Sequence, residues 1–423
     1  MADRLECRLY LLVIIALAAT AAAGLIVDGP QKTFSDFILL QTSGARLIND
    51  FTVTGIGGAF LNAASVACIG LLLVRFSDVR LGGPTLAAVF TMWGFGFFGK
   101  SPVNILPIIA GVWIVSRMVG KSLGSYSLVA LFGTALGPVV TYVMFEMPIS
   151  PAIAIPLGVA CGILVGMLLP AIASALLQFH QGYNLYNIGF ACGFLGLFLS
   201  SLLEATGTSR PLGLVWNTTP HPLLQAVIPA LSFLLIGAGF LVCKKSPKDI
   251  VEEVLQLQKL SGRLPTDMFD IANTASPLIN MGALGLAAWL FVVLVGGPFN
   301  GPVLGAMLTV MGFGAFGKTL RNTWPIVAGV CLAAWLFGKQ LSAPGPLLAS
   351  LFSTTLAPIA GRFGIKAGMV AGALHLLLVE TTAQWHGGLD LYNNGFAGGL
   401  TATLVIIVMH WFQNNRTKED FEQ

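Results

Sequence analysis

Long apolar runs alternate with short polar punctuation along almost the whole chain, and the runs come in two lengths. Those able to cross a hydrocarbon layer of about 30 Å fall near 9–27, 53–75, 126–146, 151–178, 183–204, 223–243, 270–295, 346–361, 368–385 and 389–412. Shorter apolar pieces come in pairs, 84–98 with 101–117 and 302–316 with 320–337. A helix over 84–98 rises only about 22 Å, so a break after it falls within the membrane. Two amphipathic stretches, 30–48 and 248–260 (KDIVEEVLQLQKL), predict helices lying along the membrane surface. The pattern predicts an all-α polytopic transmembrane bundle with broken or re-entrant helices.

Each short pair carries a Gly-rich phrase ending in lysine: GFGFFGKSPVN at 94–104 and GFGAFGKTLRN at 312–322. Around them, 84–111 aligns with 302–329 at a constant offset of 218, with 15 identities in 28 positions. Later, FHQGYNLYNIGFACG (179–193) aligns with WHGGLDLYNNGFAGG (385–399) at offset 206, with 9 identities in 15. This is internal duplication. It divides the chain into an N-terminal transmembrane and interfacial helix (1–52), a first repeat (53–205), a linker with one transmembrane and one interfacial helix (206–269), a second repeat (270–412) and a tail (413–423).

Charge orients the repeats. Lys and Arg in short loops favour the cytoplasmic side. Arg75, Arg80 and Arg117 align with Val293, Pro298 and Trp335, whereas Arg321 and Arg362 align with Val103 and Tyr142. The charge that marks one face of the first repeat has moved to the other face of the second. Inverted repeats with cytoplasmic termini are therefore expected, Lys339 and Arg210 being exceptions. Such architecture places solute sites near the midplane, where the halves meet.

The repeated phrase suggests what that site contains. Gly94, Gly96 and Gly99, and likewise Gly312, Gly314 and Gly317, let the backbone leave helical geometry. At membrane depth that is tolerated only where protein buries it or a polar cavity hydrates it. Ser101 before Pro102, and Thr319, read as N-caps of a following helix. The N–H groups and dipole of that helix, beside Lys100 or Lys318, suit an anion or the oxygen end of a polar solute. Asn104 and Asn322 lie four residues further on, to bond either a solute or neighbouring backbone. Alternatively, the glycines permit close helix crossing while the lysines snorkel to the interface.

The second motif puts Tyr186 and Asn187, and Tyr392 and Asn393, at a membrane entrance or a broken helix start; an aromatic belt with an Asp or Asn cap is the other reading. His375 and Glu380 sit within an apolar span where the first repeat has Leu169 and Ser174. Proton coupling is one reading of this pair. A histidine bonded inside the bundle and a glutamate at the interface is the other.

With 56% hydrophobic and 9% charged residues, the chain cannot clothe a soluble globule of 423 residues. The net charge of +4 comes from a few short segments and speaks of topology; no nucleic-acid partner is expected. Six scattered cysteines with no CxxC pair give no disulfide framework and no metal site. Residues 1–27 mimic a signal peptide but read as an uncleaved first transmembrane helix. No H-E-x-x-H, G-x-S-x-G, P-loop or cofactor motif occurs, so neither an enzyme nor a cofactor nor ATP-driven pumping is expected.

The paired G-F-G-x-F-G-K and L-Y-N-x-G-F phrases resemble an uncharacterised family of bacterial integral membrane proteins, a domain of unknown function. That resemblance covers most of the chain, brings no known activity, and implies a bacterial inner membrane. A shorter resemblance is to urea transporters, inverted-repeat channels with an Asn-bearing stretch and a later G-L-x-x-Y-N-G phrase. Here NTWPIVAG (322–329) precedes GLDLYNNGFAGG (388–399), and NILPIIAG (104–111) precedes GYNLYNIGFACG (182–193). It implies a solute pathway between inverted halves; the Gly-rich lysine phrase lies outside that pattern. The expected function is transport of a small anionic or polar solute, with a passive urea-like or amide-like channel as alternative. A membrane-embedded enzyme or a scaffold follows at a distance. The expected partners are the lipid bilayer and a small-molecule solute, with self-association left open.

Overall fold

The computed structural model describes residues 2–243, 245–272 and 274–419. Nine helical stretches among them, the interrupted Leu123–Glu146 included, are long and apolar enough to cross a membrane, so the chain is a multi-pass membrane protein. It opens with α1 (Ala2–Asp28) and α2 (Pro30–Gln41), which pack on α3 (Ile56–Phe76). Next come the short α4 (Gly83–Phe95) and α5 (Pro102–Met118), then two fragments, α6 (Ser127–Gly133) and α7 (Gly137–Thr141). The long α8 (Pro151–His180) and α9 (Asn187–Ala205) complete the first repeat.

After α10 (Pro222–Val242), α11 (Pro247–Leu257) and α12 (Met268–Ala272), the same series returns. It comprises α13 (Pro277–Leu294), α14 (Gly301–Gly312), α15 (Leu320–Leu336), α16 (Pro344–Phe352), α17 (Ala357–Phe363), α18 (Ile365–Trp385) and α19 (Asn393–Glu419).

Several boundaries differ from the hydropathy reading. The amphipathic stretch 30–48 is helical only to Gln41; Asn49 and Asp50 instead bridge in extended form to Val215 and Phe98. The run 270–295 is not one span, because α12 ends at Ala272 and α13 begins afresh at Pro277. Residues 183–186 and 389–392 precede α9 and α19 instead of opening them, since their polar side chains bond locally and to the opposite repeat. The runs 126–146 and 346–361 are each interrupted. In L-F-x-T-x-L-x-P, Pro138 and Pro358 lack an N–H and crowd the carbonyl four residues earlier, which belongs to Thr134 and Thr354 respectively. Residue 244 of the linker and residues 420–423 of the tail lie outside the described residues.

Equivalent helices meet at the centre. The Gly94 backbone lies on Gly305 of α14, and Gly312 lies on Ala87 of α4. Ala87 aligns with Gly305 and Gly94 with Gly312, so the two short helices cross antiparallel through a contact that maps onto itself when the repeats are exchanged. In the same way α9 crosses α19, with Gly193 against Phe396 and Gly399 against Phe190. Within each repeat, Gly111 sits on Ile163 as Gly329 sits on Met369, docking α5 on α8 and α15 on α18. Small residues are what allow backbones this close.

The starts of the repeats also cap one another. Asp50 accepts from Gly301 N of α14 (3.2 Å), Thr52 N (3.0 Å) and Asn217 N (3.0 Å). Asp267 accepts from Gly83 N of α4 (3.1 Å) and Phe269 N (2.9 Å). Acceptors at a helix N-terminus satisfy orphan donors and match the dipole. Burial raises both carboxyls above the ordinary Asp value, against the pull of these donors.

Candidate functional site

Both Gly-rich phrases form a break between two helices. In the first, α4 ends at Phe95, Gly99 takes φ +87°, and α5 begins at Pro102; in the second, Gly317 takes φ +102° before α15. Only glycine adopts such φ values without strain. The orphan carbonyls at each break converge on an asparagine of the preceding helix. Asn62 Nδ2 donates to Gly96 O (2.7 Å) and Lys100 O (2.8 Å), and Asn280 Nδ2 donates to Gly314 O (2.7 Å) and Lys318 O (2.8 Å).

The following helices are capped from within. Asn104 Oδ1 accepts from Ser101 N (2.9 Å) while its Nδ2 donates to Gly99 O (2.9 Å). Asn322 Oδ1 accepts from Thr319 N (2.8 Å), its Nδ2 donates to Gly317 O (2.9 Å), and Thr319 Oγ1 accepts from Asn322 N (3.2 Å). Ser101 Oγ is buried and has no hydrogen-bond partner among the described residues. The structure thus places Asn104 and Asn322 on backbone groups, the second of the two roles expected for them.

The lysines do not snorkel. Lys100 and Lys318 are fully buried and reach across to the opposite repeat. Lys318 Nζ donates to Tyr186 Oη (2.5 Å) and Thr354 Oγ1 (2.7 Å). Lys100 Nζ donates to the Tyr392 hydroxyl and to Thr134 Oγ1 (2.7 Å). Each ammonium also lies 4.5 Å from the centroid of its tyrosine ring, an added attraction to the ring face. Two reciprocal clamps therefore tie the Gly-rich break of each repeat to the L-Y-N loop of the other.

Between the clamps lies a cavity of about 250 Å³. Equivalent residues line it in pairs: Thr91 with Thr309, Phe95 with Phe313, Phe132 with Phe352, Leu185 with Leu391, Tyr186 with Tyr392, Gly189 with Gly395. Asn187 also faces it, as does Asn394. Of the residues singled out in the sequence, only Tyr186, Asn187 and Tyr392 belong to this wall. Gly94, Gly96, Gly99, Lys100, Ser101 and Asn104 lie behind it, as do their counterparts Gly312, Gly314, Gly317, Lys318, Thr319 and Asn322.

Asn393 is set back too: its Oδ1 accepts from Thr382 Oγ1 (2.7 Å) and meets His386 Nε2 (3.0 Å), and its Nδ2 donates to Val379 O (2.8 Å). His375 and Glu380 are not joined by any hydrogen bond among the described residues. The histidine pairs through Nε2 with Asn394 Oδ1 (3.0 Å), while the glutamate makes a half-exposed ion pair with Lys339.

Sequence reading missed Asn62 and Asn280, and Thr134 and Thr354. The asparagines obey the offset of 218 found further along, but sit where little else is identical. The threonines were within reach, since LFGTALGP and LFSTTLAP share five of eight residues at offset 220.

Fold and cavity together define a multi-pass helical membrane protein with an aromatic-lined cavity between two related halves. Comparison with protein families finds one family model that matches residues 29–205 and 246–411. The chain belongs to the family described as "Protein of unknown function (DUF1576)". No curated protein and no solved structure matches it, so the urea-transporter likeness stays with the short phrases that carry it.

Proposed function

We propose that the chain conducts a small uncharged solute through the chamber between two inverted repeats. The observation that carries this reading is the chamber wall: paired aromatic, Thr and Gly positions from both repeats, with no Lys, Arg, His, Asp or Glu in it among the described residues. Its volume is below the roughly 300–1,000 Å³ of drug-sized sites, which favours a small solute. An anion would meet the negative faces of rings, and both lysines already donate to Thr and Tyr oxygens behind that wall. They serve here as positioning residues that hold Tyr186 and Tyr392 at the chamber. Inversion is supported by the antiparallel crossings of α4 with α14 and α9 with α19, and by the exchanged arginines.

No catalytic step enters this reading. Because ring faces also stabilise cations, a small alkylammonium is the second candidate. Stopped-flow shrinkage of proteoliposomes in urea, acetamide or glycerol is the test, beside potential-driven uptake of methylammonium and acetate. Permeability to an uncharged solute above that of empty vesicles, insensitive to membrane potential and reduced by Phe132→Trp with Phe352→Trp, is expected. Potential-driven methylammonium uptake would move the reading to a cation. Acetate flux alone would overturn it.

A further inference from the structure

A second cavity, of about 370 Å³, lies away from the chamber, where the end of α17, the last turns of α19 and the loop after α11 meet. Its wall holds Arg263, Arg362 and His410 together with Ser261, Tyr183 and Phe363. The arginines come from opposite ends of the packing: Arg263 from the loop and Arg362 from the last turn of α17.

Arg263 is held in place. Its Nε donates to Gln181 O (2.7 Å), and its guanidinium lies 4.8 Å from the Tyr183 ring centroid. Tyr183 stacks near Phe363 (5.4 Å), which in turn meets the His410 ring (6.5 Å). The Nη groups of Arg263, and the whole Arg362 guanidinium, have no hydrogen-bond or ion-pair partner among the described residues.

The other side of the same loop shows the contrast. There a cavity of about 510 Å³ holds Arg80, but Asp267 and Asp270 line it too, and Asp270 pairs with Arg80. At the far end of the bundle Arg46 is answered by Glu146, and Lys339 by Glu380. Among the described residues, the wall around Arg263 and Arg362 holds no carboxylate. Two unanswered guanidinium forks over one concave, aromatic-floored space match the oxygens of a phosphate ester, which arginine binds in bidentate fashion.

The setting favours a lipid as the source of that phosphate. The cavity sits at the ends of the membrane-crossing α18 and α19, beside exposed Ile365, Ile407 and Trp411, where acyl chains would run below a headgroup. We propose that this cavity binds a phosphate ester between Arg263 and Arg362, as the headgroup of an anionic phospholipid. The site stands independently of what the central chamber conducts.

Native mass spectrometry of the full chain in neutral detergent, titrated with phosphatidylglycerol or with phosphatidylcholine of the same acyl chains, tests it. Phosphatidylglycerol should bind more tightly. Arg263→Gln and Arg362→Gln should each weaken it roughly tenfold, the scale of one charge-assisted hydrogen bond. Lys366→Gln, which removes a nearby exposed charge outside the wall, should leave it unchanged. Arg263→Lys and Arg362→Lys keep the charge but lose the fork, and should retain part of the preference. Inorganic phosphate raising the thermal midpoint through Arg362, with the two lipids retained alike, would assign the site to free phosphate. Equal retention of both lipids with no phosphate effect, or a double Gln variant that folds and binds phosphatidylglycerol as the parent does, would overturn the site.

Discussion

The two lysine clamps share one geometry but not one charge environment. Around Lys318 the facing loop carries Asn184, whose Nδ2 donates to Gly395 O (3.1 Å) and whose Oδ1 accepts from Thr355 Oγ1 (2.5 Å). Around Lys100 the equivalent residue is Asp390. Its Oδ1 accepts from Tyr392 N (2.8 Å), its Oδ2 is buried with no hydrogen-bond partner among the described residues, and Ala135 stands where the other half has Thr355. Duplication has kept the backbone contacts that shape the chamber, while the polar atoms behind it have diverged. Shape is conserved between the halves by packing, which tolerates little change in volume; charge is freer to drift where a neighbour can compensate.

The largest effect should fall where the halves are most alike. Gly94→Leu and Gly312→Leu each drive a branched side chain into the opposing backbone, at a cost of about 3 kcal/mol or more. Both should abolish the monodisperse peak of the detergent-purified protein. A tolerant half would break the equivalence.

Next come Asn62→Ala and Asn280→Ala, each of which strips the shared donor from two buried carbonyls. A loss of about 1–3 kcal/mol is expected in either half, read as matching drops in thermal midpoint. The smallest effect sharpens the difference between the clamps. Asn184→Asp should cost about 1 kcal/mol, because it removes the donor to Gly395 O. Asp390→Asn should leave the thermal midpoint unchanged or raise it, because the oxygen it replaces has no partner among the described residues. Equal losses from the two changes would show that the polar atoms behind the chamber have not diverged in role.

Much of the fold was legible in the sequence because lipid imposes it. A spanning segment must be apolar and must satisfy its own backbone, so long runs declare themselves, and Gly99 and Gly317 mark where regular helix fails; the breaks at Pro138 and Pro358 inside two predicted spans went unread. The lone polar residues inside those runs were not legible. Asn62 in FLNAAS and Asn280 in LINMGA have no periodic signature and look like ordinary helix interior. Their meaning appears only when Gly96 O and Gly314 O come within reach. The lysines were visible, but not their direction. A buried ammonium and a snorkelling one have the same sequence, and the tyrosines that receive them are 292 and 132 residues away.

The sequence alone determined a duplicated, membrane-embedded helical chain with two Gly-rich breaks, because hydropathy, internal identity and backbone permissiveness are properties of local sequence. Tertiary structure alone decided that the lysines turn away from the chamber and that aromatic rings face it. Which side chains share a space depends on how antiparallel helices from distant parts of the chain interlock, and no spacing along one strand of sequence encodes that contact.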